Sequence, residues 1–221
     1  VVDRDLVGYR QDGAIEVRSA DRLRELLGHP GERARNKVRQ FLDHDDIEWL
    51  RASTLCFLAT SGSDGRCDSS PKGDPAGRLV HVIDRTHIAL AERPGNRRVD
   101  GYLNILANPH VGLLFLVPGR SDVLRINGVA TLLEDATWFG SLALDNSRPR
   151  IAVLVTIEEV FGHCAKALVR SQAWHPETWR GHSLRDVSAT ARHRRSQGLP
   201  ELQTSSYSAR ALEQAQVASY D

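Results

Sequence analysis

The chain has 221 residues, 41% hydrophobic and 26% charged, enough for one sizeable core with an appended arm. Its 29 basic and 28 acidic residues leave a net charge of +1, which removes any electrostatic case for bulk nucleic-acid or membrane-surface binding and makes any anion site local. Three cysteines without a CxxC pair, Cys56, Cys67 and Cys164, argue against a disulfide framework or a zinc site and for a reducing cytoplasm. No apolar run reaches the length of a membrane span, and the opening ten residues, with Asp3, Arg4 and Asp5, do not read as a signal peptide.

Residues 1–52 read as a polar, helical arm. In SADRLRELLGHPG, Ser19 suits a helix N-cap, Leu23, Leu26 and Leu27 share one side, and Gly28 with Pro30 stop the helix. ERARNKVRQFL and DHDDIEWLRAS predict two more short helices. Val38, Phe41 and Leu42 are expected to face the core from the first, Ile47 and Leu50 from the second. The acidic run 43–46 invites a metal reading, but it precedes an apolar helical run, so capping explains it better.

The pattern changes at Thr54. TLCFLAT predicts a strand, SGSDGR a hairpin turn at Asp64-Gly65, and CDSSPK the return strand. GDPAG is another turn. RLVHVID and THIALAE predict two strands joined at Asp84-Arg85. HVGLLFLV is apolar on both faces, DVLRINGVATLL alternates, and RIAVLVTIEEVFGH is the seventh strand. Seven short strands with one good helix between them predict an antiparallel all-β barrel or sandwich, since a doubly wound parallel sheet needs a helix after almost every strand.

That helix lies in RPGNRRVDGYLNILANP. Asn96 is placed at its N-cap, Val99, Tyr102, Leu103 and Leu106 on one apolar face, and Asn108-Pro109 at its end. Arg97 and Arg98 then fall in the first turn, where the macrodipole penalises a cation by ~0.3–1 kcal/mol. A bound anion reverses that sign, because free N–H groups, the dipole and two guanidinium forks all favour it. Pairing with Glu92 or Asp100 on a solvated face is the alternative.

Other basic groups could converge on the same ligand. Lys72 ends a strand after Ser69 and Ser70, a set that suits a phosphate or ribityl chain or an ordinary turn. Arg125 sits within an alternating strand and needs a partner, either a carboxylate such as Asp122 or Glu134 or a ligand. His163, Lys166 and Arg170 cluster after the last strand. No nucleophile–His–Asp arrangement can be read and no GxSxG exists, so no catalytic residue is assigned.

SSPKGDPAG, ERPGNRRVDGYLNILANPHVGLLFLVPG and DVLRINGVATL, taken in order, closely resemble the pyridoxamine 5'-phosphate oxidase-like proteins. The resemblance covers about residues 54–174, to HCAKALVRSQAW. It implies an FMN-binding split β-barrel over residues 53–174, with a helical N-terminal arm (1–52) and a helical or irregular C-terminal extension (175–221).

It implies further that Asn96, Arg97 and Arg98 hold the FMN phosphate and that Ser69, Ser70 and Lys72 line the flavin and phosphate. Arg125 is the candidate for polar contacts from the later strand. Members are usually homodimers with FMN at the interface, which implies contacts from a partner chain, with Lys166 and Trp174 as candidates. The expected function is an FMN-dependent oxidoreductase acting on a small molecule or electron donor. A non-catalytic flavin-binding or sensor module is the alternative, as is a deazaflavin F420- or haem-binding protein on the same fold. The C-terminal WHPETWRGHSLRD holds Trp174, Trp179, Arg180 and His182 but not the flanking signature of true pyridoxamine phosphate oxidases, so vitamin B6 oxidation is not implied.

Overall fold

The computed structural model of the protein describes residues 13–95 and 97–178. Of the expected helical or irregular C-terminal extension, everything from Trp179 on, with Arg180 and His182, lies outside them, as does Asn96. Three helices precede the sheet: α1 (Ala20–Leu27), α2 (Glu32–Arg35) and α3 (His44–Ala52). Ser19 caps α1 as expected, and Gly28, at φ 76°, ends it. Asp43 and Asp46 form a reciprocal capping box on α3, which confirms the reading of 43–46 as a cap.

The stretch 32–42 departs from expectation. Only α2 is helical. Arg39 instead exchanges backbone hydrogen bonds of 2.7 and 3.0 Å with Val160, which pulls the chain into an extended bridge. Of the three residues expected to face the core, Leu42 is fully buried while Val38 and Phe41 stay exposed; Phe41 stacks under the Arg85 guanidinium instead.

All seven expected strands form: β1 (Leu55–Ser61), β2 (Cys67–Gly73), β3 (His81–Val82), β4 (His87–Ala91), β5 (His110–Leu116), β6 (Val123–Leu133) and β7 (Ala152–His163). They make one antiparallel sheet in the order β2-β1-β5-β6-β7-β4-β3. One helix within the sheet sequence, α4 (Asp100–Ala107), connects β4 to β5, and a short α5 (Lys166–Arg170) follows β7. Pro71 lies in β2, an edge strand, where a missing N–H costs no ladder bond.

The sheet curls on itself. β1 and β4 are separated by three strands, yet Leu58 and Leu90 belong to one core with Leu113, Phe115, Ile126 and Val155. Each such side chain stabilises the fold by about 1.5–3 kcal/mol through burial. Closure is incomplete, because β2 and β3 are the unpaired edges. The fold is a mainly antiparallel β-barrel, open along the seam between β2 and the end of β4.

A bulge adjusts the phase of β7. Its buried residues run Val153, Val155, Ile157 and then Val160, and the register with β6 shifts between Asn127 and Gly128. Glu158 and Glu159 therefore both face outward, and the second half of β7 still presents an apolar residue to the core.

Candidate functional site

The open seam holds a cleft of about 1030 Å³. One wall is β2. Its alternation turns Asp68, Ser70 and Lys72 inward and leaves Cys67, Ser69 and Pro71 outward. Lys72 Nζ donates to Tyr102 Oη at 3.3 Å and lies 5.0 Å from the centre of that ring. Burial pulls the Lys72 ammonium below its ordinary pKa, against the opposing pull of Glu92, and among the described residues no carboxylate is in ion-pair contact with it. Burial, reinforced by Glu92, pushes the Tyr102 hydroxyl up to about 12, so it stays protonated.

The opposite wall is the end of β4 and the segment 92–99. Here the structure corrects the expected helix start. Arg97 and Val99 adopt left-handed backbone (φ 62° and 49°), and α4 begins at Asp100, with Val99 as a cap that makes no side-chain hydrogen bond. A β-branched residue in this region is strained. The two arginines thus stand ahead of the helix rather than in its first turn, and Asp100 takes the place the macrodipole favours. Arg98 Nε donates to Asp100 Oδ2 at 2.7 Å, the pairing that was the alternative reading. Arg97 makes no ion pair among the described residues.

The face of α4 that packs is also not the expected one. Tyr102 and Ile105 pack on the core, while Val99, Leu103 and Leu106 are exposed. The seat is made by small and polar residues. A β-carbon on Gly101 would lie 3.4 Å from Thr60 Oγ1, and Asn104 Nδ2 donates to Thr60 Oγ1 (3.1 Å) and Asp68 Oδ2 (2.7 Å). This close approach fixes α4 against β1 and β2 and rotates its larger aliphatic side chains outward.

The two edges of the seam are laced by a side-chain pair that the sequence did not suggest. Arg93 Nε, just beyond β4, donates to both oxygens of Asp74, just beyond β2, at 3.0 and 3.2 Å. Arg93 Nη1 donates to the Leu142 carbonyl at 2.9 Å. Burial raises the Asp74 carboxyl above its usual range although Arg93 and Arg78 act against that.

Of the residues chosen from sequence, Ser69, Ser70, Lys72, Arg97 and Arg98 border this one cleft. Arg93, Tyr102 and Arg150 border it too and were not chosen. Arg125 and Lys166 lie elsewhere on the protomer. Arg125 is on the outer sheet face, paired across strands with Leu114 and Phe161; its Nε donates to Asn127 and its guanidinium stacks on Phe161. Neither Asp122 nor Glu134 is its partner. Lys166 opens the exposed α5, and Trp174 Nε1 donates to the Arg120 carbonyl at 2.6 Å. Among the described residues no cluster of His, Cys, Asp and Glu could hold a metal, and no helix is long and apolar enough to cross a membrane.

The protomer is an antiparallel barrel split along a cleft bordered by both cations and carboxylates. The chain belongs to the pyridoxamine 5'-phosphate oxidase family, whose profile matches residues 42–164. No curated protein sequence matches it. Among solved structures it is similar to a Lactobacillus delbrueckii protein of the pyridoxamine 5'-phosphate oxidase type, at 26% identity over 57% of this chain and 98% of that one, with a TM-score of 0.45. It is also similar to HutZ, the haem storage protein of Vibrio cholerae (15% identity, 54% and 93% covered, TM-score 0.38). An F420 reductase is similar too (16% identity, 52% and 94% covered, TM-score 0.37).

Proposed function

We propose that the protein is an FMN-binding oxidoreductase that acts on a small molecule as a cytoplasmic homodimer. The observation that carries this reading is Lys72, an ammonium held partly out of water at the cleft wall, with the Tyr102 hydroxyl as its hydrogen-bond partner and no carboxylate in ion-pair contact among the described residues. Burying a charge without a counter-charge in contact is costly, and a bound phosphate reduces that cost. Arg97 and Arg98 stand across the same cleft, Ser70 adds a hydroxyl on the Lys72 face of β2, and the N-terminus of α4 adds backbone donors. The donor set fits FMN. Lys72, Arg97, Arg98 and Asn96 would hold the phosphate, with Ser70 along the flavin's polar edge and Ser69 at the rim of the cleft. When bound, FMN supplies the hydride chemistry, which needs no protein acid or base.

The dimer reading is supported by apolar surface that one protomer leaves in water: Leu103 and Leu106 on α4, and the cross-strand neighbours Phe57 and Leu114. On the family's pattern some cofactor contacts come from the partner chain, with Lys166 and Trp174 as the candidates, and Arg125 is the candidate for polar contacts from the later strand.

The test is a titration of the ligand-free protein with FMN and with riboflavin, followed by flavin fluorescence. At about 1.5–3 kcal/mol for each charge-assisted hydrogen bond, R97A/R98A should weaken FMN by about 100-fold or more. Riboflavin, which lacks the phosphate, should change by no more than about threefold. Equal losses for the two ligands would refute the site. Release of F420 or haem, and not FMN, from purified protein would refute the cofactor.

A further inference from the structure

The connection between β6 and β7, residues 134–151, forms a strap at the Arg93 end of the cleft. A 3₁₀ turn (Phe139–Leu142) and a reversal at left-handed Asp145 and Asn146, closed by the Leu144–Ser147 bridge, make it a compact unit. It is fastened in three ways. Phe139 and Leu142 are buried with Ala91 and Ala152 in a small core of their own, and Ala91 also lines the cleft. Two of its carbonyls take an arginine from either side of the seam: Ala143 accepts from Arg78, after β2, and Leu142 accepts from Arg93, after β4, at 2.9 Å. Trp138 packs on Phe139 (5.3 Å between ring centres) and stacks on His81 of the edge strand β3 (5.9 Å).

The first two fastenings do not respond to pH in the neutral range, since neither apolar contacts nor arginines change charge there. The third does, because an imidazole takes up a proton between about pH 8 and 5. His81 is half-buried against the indole, and that burial lowers its pKa. The packed ring therefore resists the proton, and a proton taken up favours the arrangement in which the ring leaves Trp138 for water. No charged side chain among the described residues offsets this. In the turn after β3, Asp84 is taken by Thr86 and His87. In the strap, Asp135 and Arg148 pair with each other and Glu134 is exposed. Arg78, ahead of β3, is turned to the Ala143 carbonyl.

We propose that His81 and Trp138 form an acid-sensitive fastening of this strap. While His81 is neutral the strap holds the cleft wall at Ala91 and Arg93 in place; a proton on His81 frees Trp138, loosens that wall and speeds release of the bound ligand. The effect on release rests on the reading that FMN occupies the cleft, whereas the opening of the strap does not.

The test follows FMN release from the full chain by flavin fluorescence between about pH 7.5 and 5, in the parent protein and in H81F, which keeps a stacked ring without a titrating group. The FMN phosphate also changes charge near about pH 6, but it does so for both proteins, so the ratio of their rates isolates His81. The parent should match H81F at the upper end and release FMN about fivefold or more faster at the lower end. Equal acceleration of the two by acid overturns the proposal. A second measurement needs neither the variant nor the ligand. The N–H groups of Phe139, Ser141 and Ala143 are bonded within the strap, and their exchange reports its opening. Corrected for intrinsic pH dependence, their protection in the ligand-free parent should fall about fivefold or more, with a midpoint below about pH 6.5. Protection that stays constant overturns the strap, whether or not H81F folds. Failure of FMN to bind at any pH refutes the flavin reading separately, and the amide exchange alone then decides the strap.

Discussion

Gly128→Ala tests the bulge that sets the phase of β6 against β7. A β-carbon at this position would fall onto the Thr156 carbonyl oxygen, 3.0 Å from its carbon and 3.2 Å from Val155 Cγ1. Ordinary carbon contacts lie at roughly 3.5–4.0 Å. The obstruction is ladder backbone on the strand paired with β6 along its whole length, so it cannot swing away as a side chain would. Overpacking of this kind costs ~1–3 kcal/mol. Parting the strands adds one weakened ladder bond, about 0.5–1.5 kcal/mol. The stiffer unfolded chain offsets ~0.4–1 kcal/mol. The net is a loss of about 0.5–4 kcal/mol, centred near ~2. With a urea m-value of ~2 kcal/mol/M, the midpoint should fall by about 1 M at unchanged m. A fall of less than ~0.25 M would refute the close approach and with it the assigned phase of β7.

Asp74→Asn should cost about 1–2 kcal/mol, because the loss of the Arg93 pairing is partly offset by relief of the burial penalty that raises the Asp74 pKa. Adding Arg93→Leu should recover part of the loss in a urea double-mutant cycle, and strict additivity would mean the pair does not lace the seam. Lys72→Met should stabilise the ligand-free protein at pH 7 while weakening FMN. The Lys72 pKa is depressed in the fold, so its penalty is present at neutral pH and is relieved as pH rises toward the ordinary lysine value of about 10.4. The difference in urea midpoints should therefore shrink by pH 10, and a constant difference would sink the reading. His81 stacks on Trp138 at 5.9 Å between ring centres, and burial lowers its pKa. Its folded state resists the proton, so stability falls as pH drops below the usual histidine value of about 6.5. The pH-dependent part of the tryptophan fluorescence that His81→Phe removes should have its midpoint below that value.

The strands were legible because alternation and turn residues survive in any context: Asp64-Gly65, the Asp84 turn and the alternating 122–133 stretch each carry their own signal. Two features of the site were not. The start of α4 was misplaced because Asn96 is a good cap by propensity, whereas the chain passes through left-handed Arg97 and Val99 first, which nothing local announces for a β-branched residue. The face of α4 was misread because Gly101 and Asn104 decide it by fitting against Thr60, a contact made only in the folded protein. The basic cluster was visible as residue types, but the Asp74–Arg93 pair depends on how two distant edges meet. The bulge was present in the sequence as consecutive Glu158 and Glu159, a break in the alternation of β7.

The open seam also bears on the order in which the molecule assembles and comes apart. β1–β2 and β5–β6 join strands that are neighbours in sequence, whereas β1–β5 and β4–β7 pair strands far apart in it, as in Leu58 with Leu113 and Leu90 with Val153. Such pairings carry the larger loop-closure cost and are slow to form. The two walls of the cleft face each other only once both long-range pairings are complete. A ligand held between them has little to grip in the folding transition state, so its binding energy falls mainly on the unfolding rate. The occupied protein should fold no faster than the empty one and persist far longer once folded.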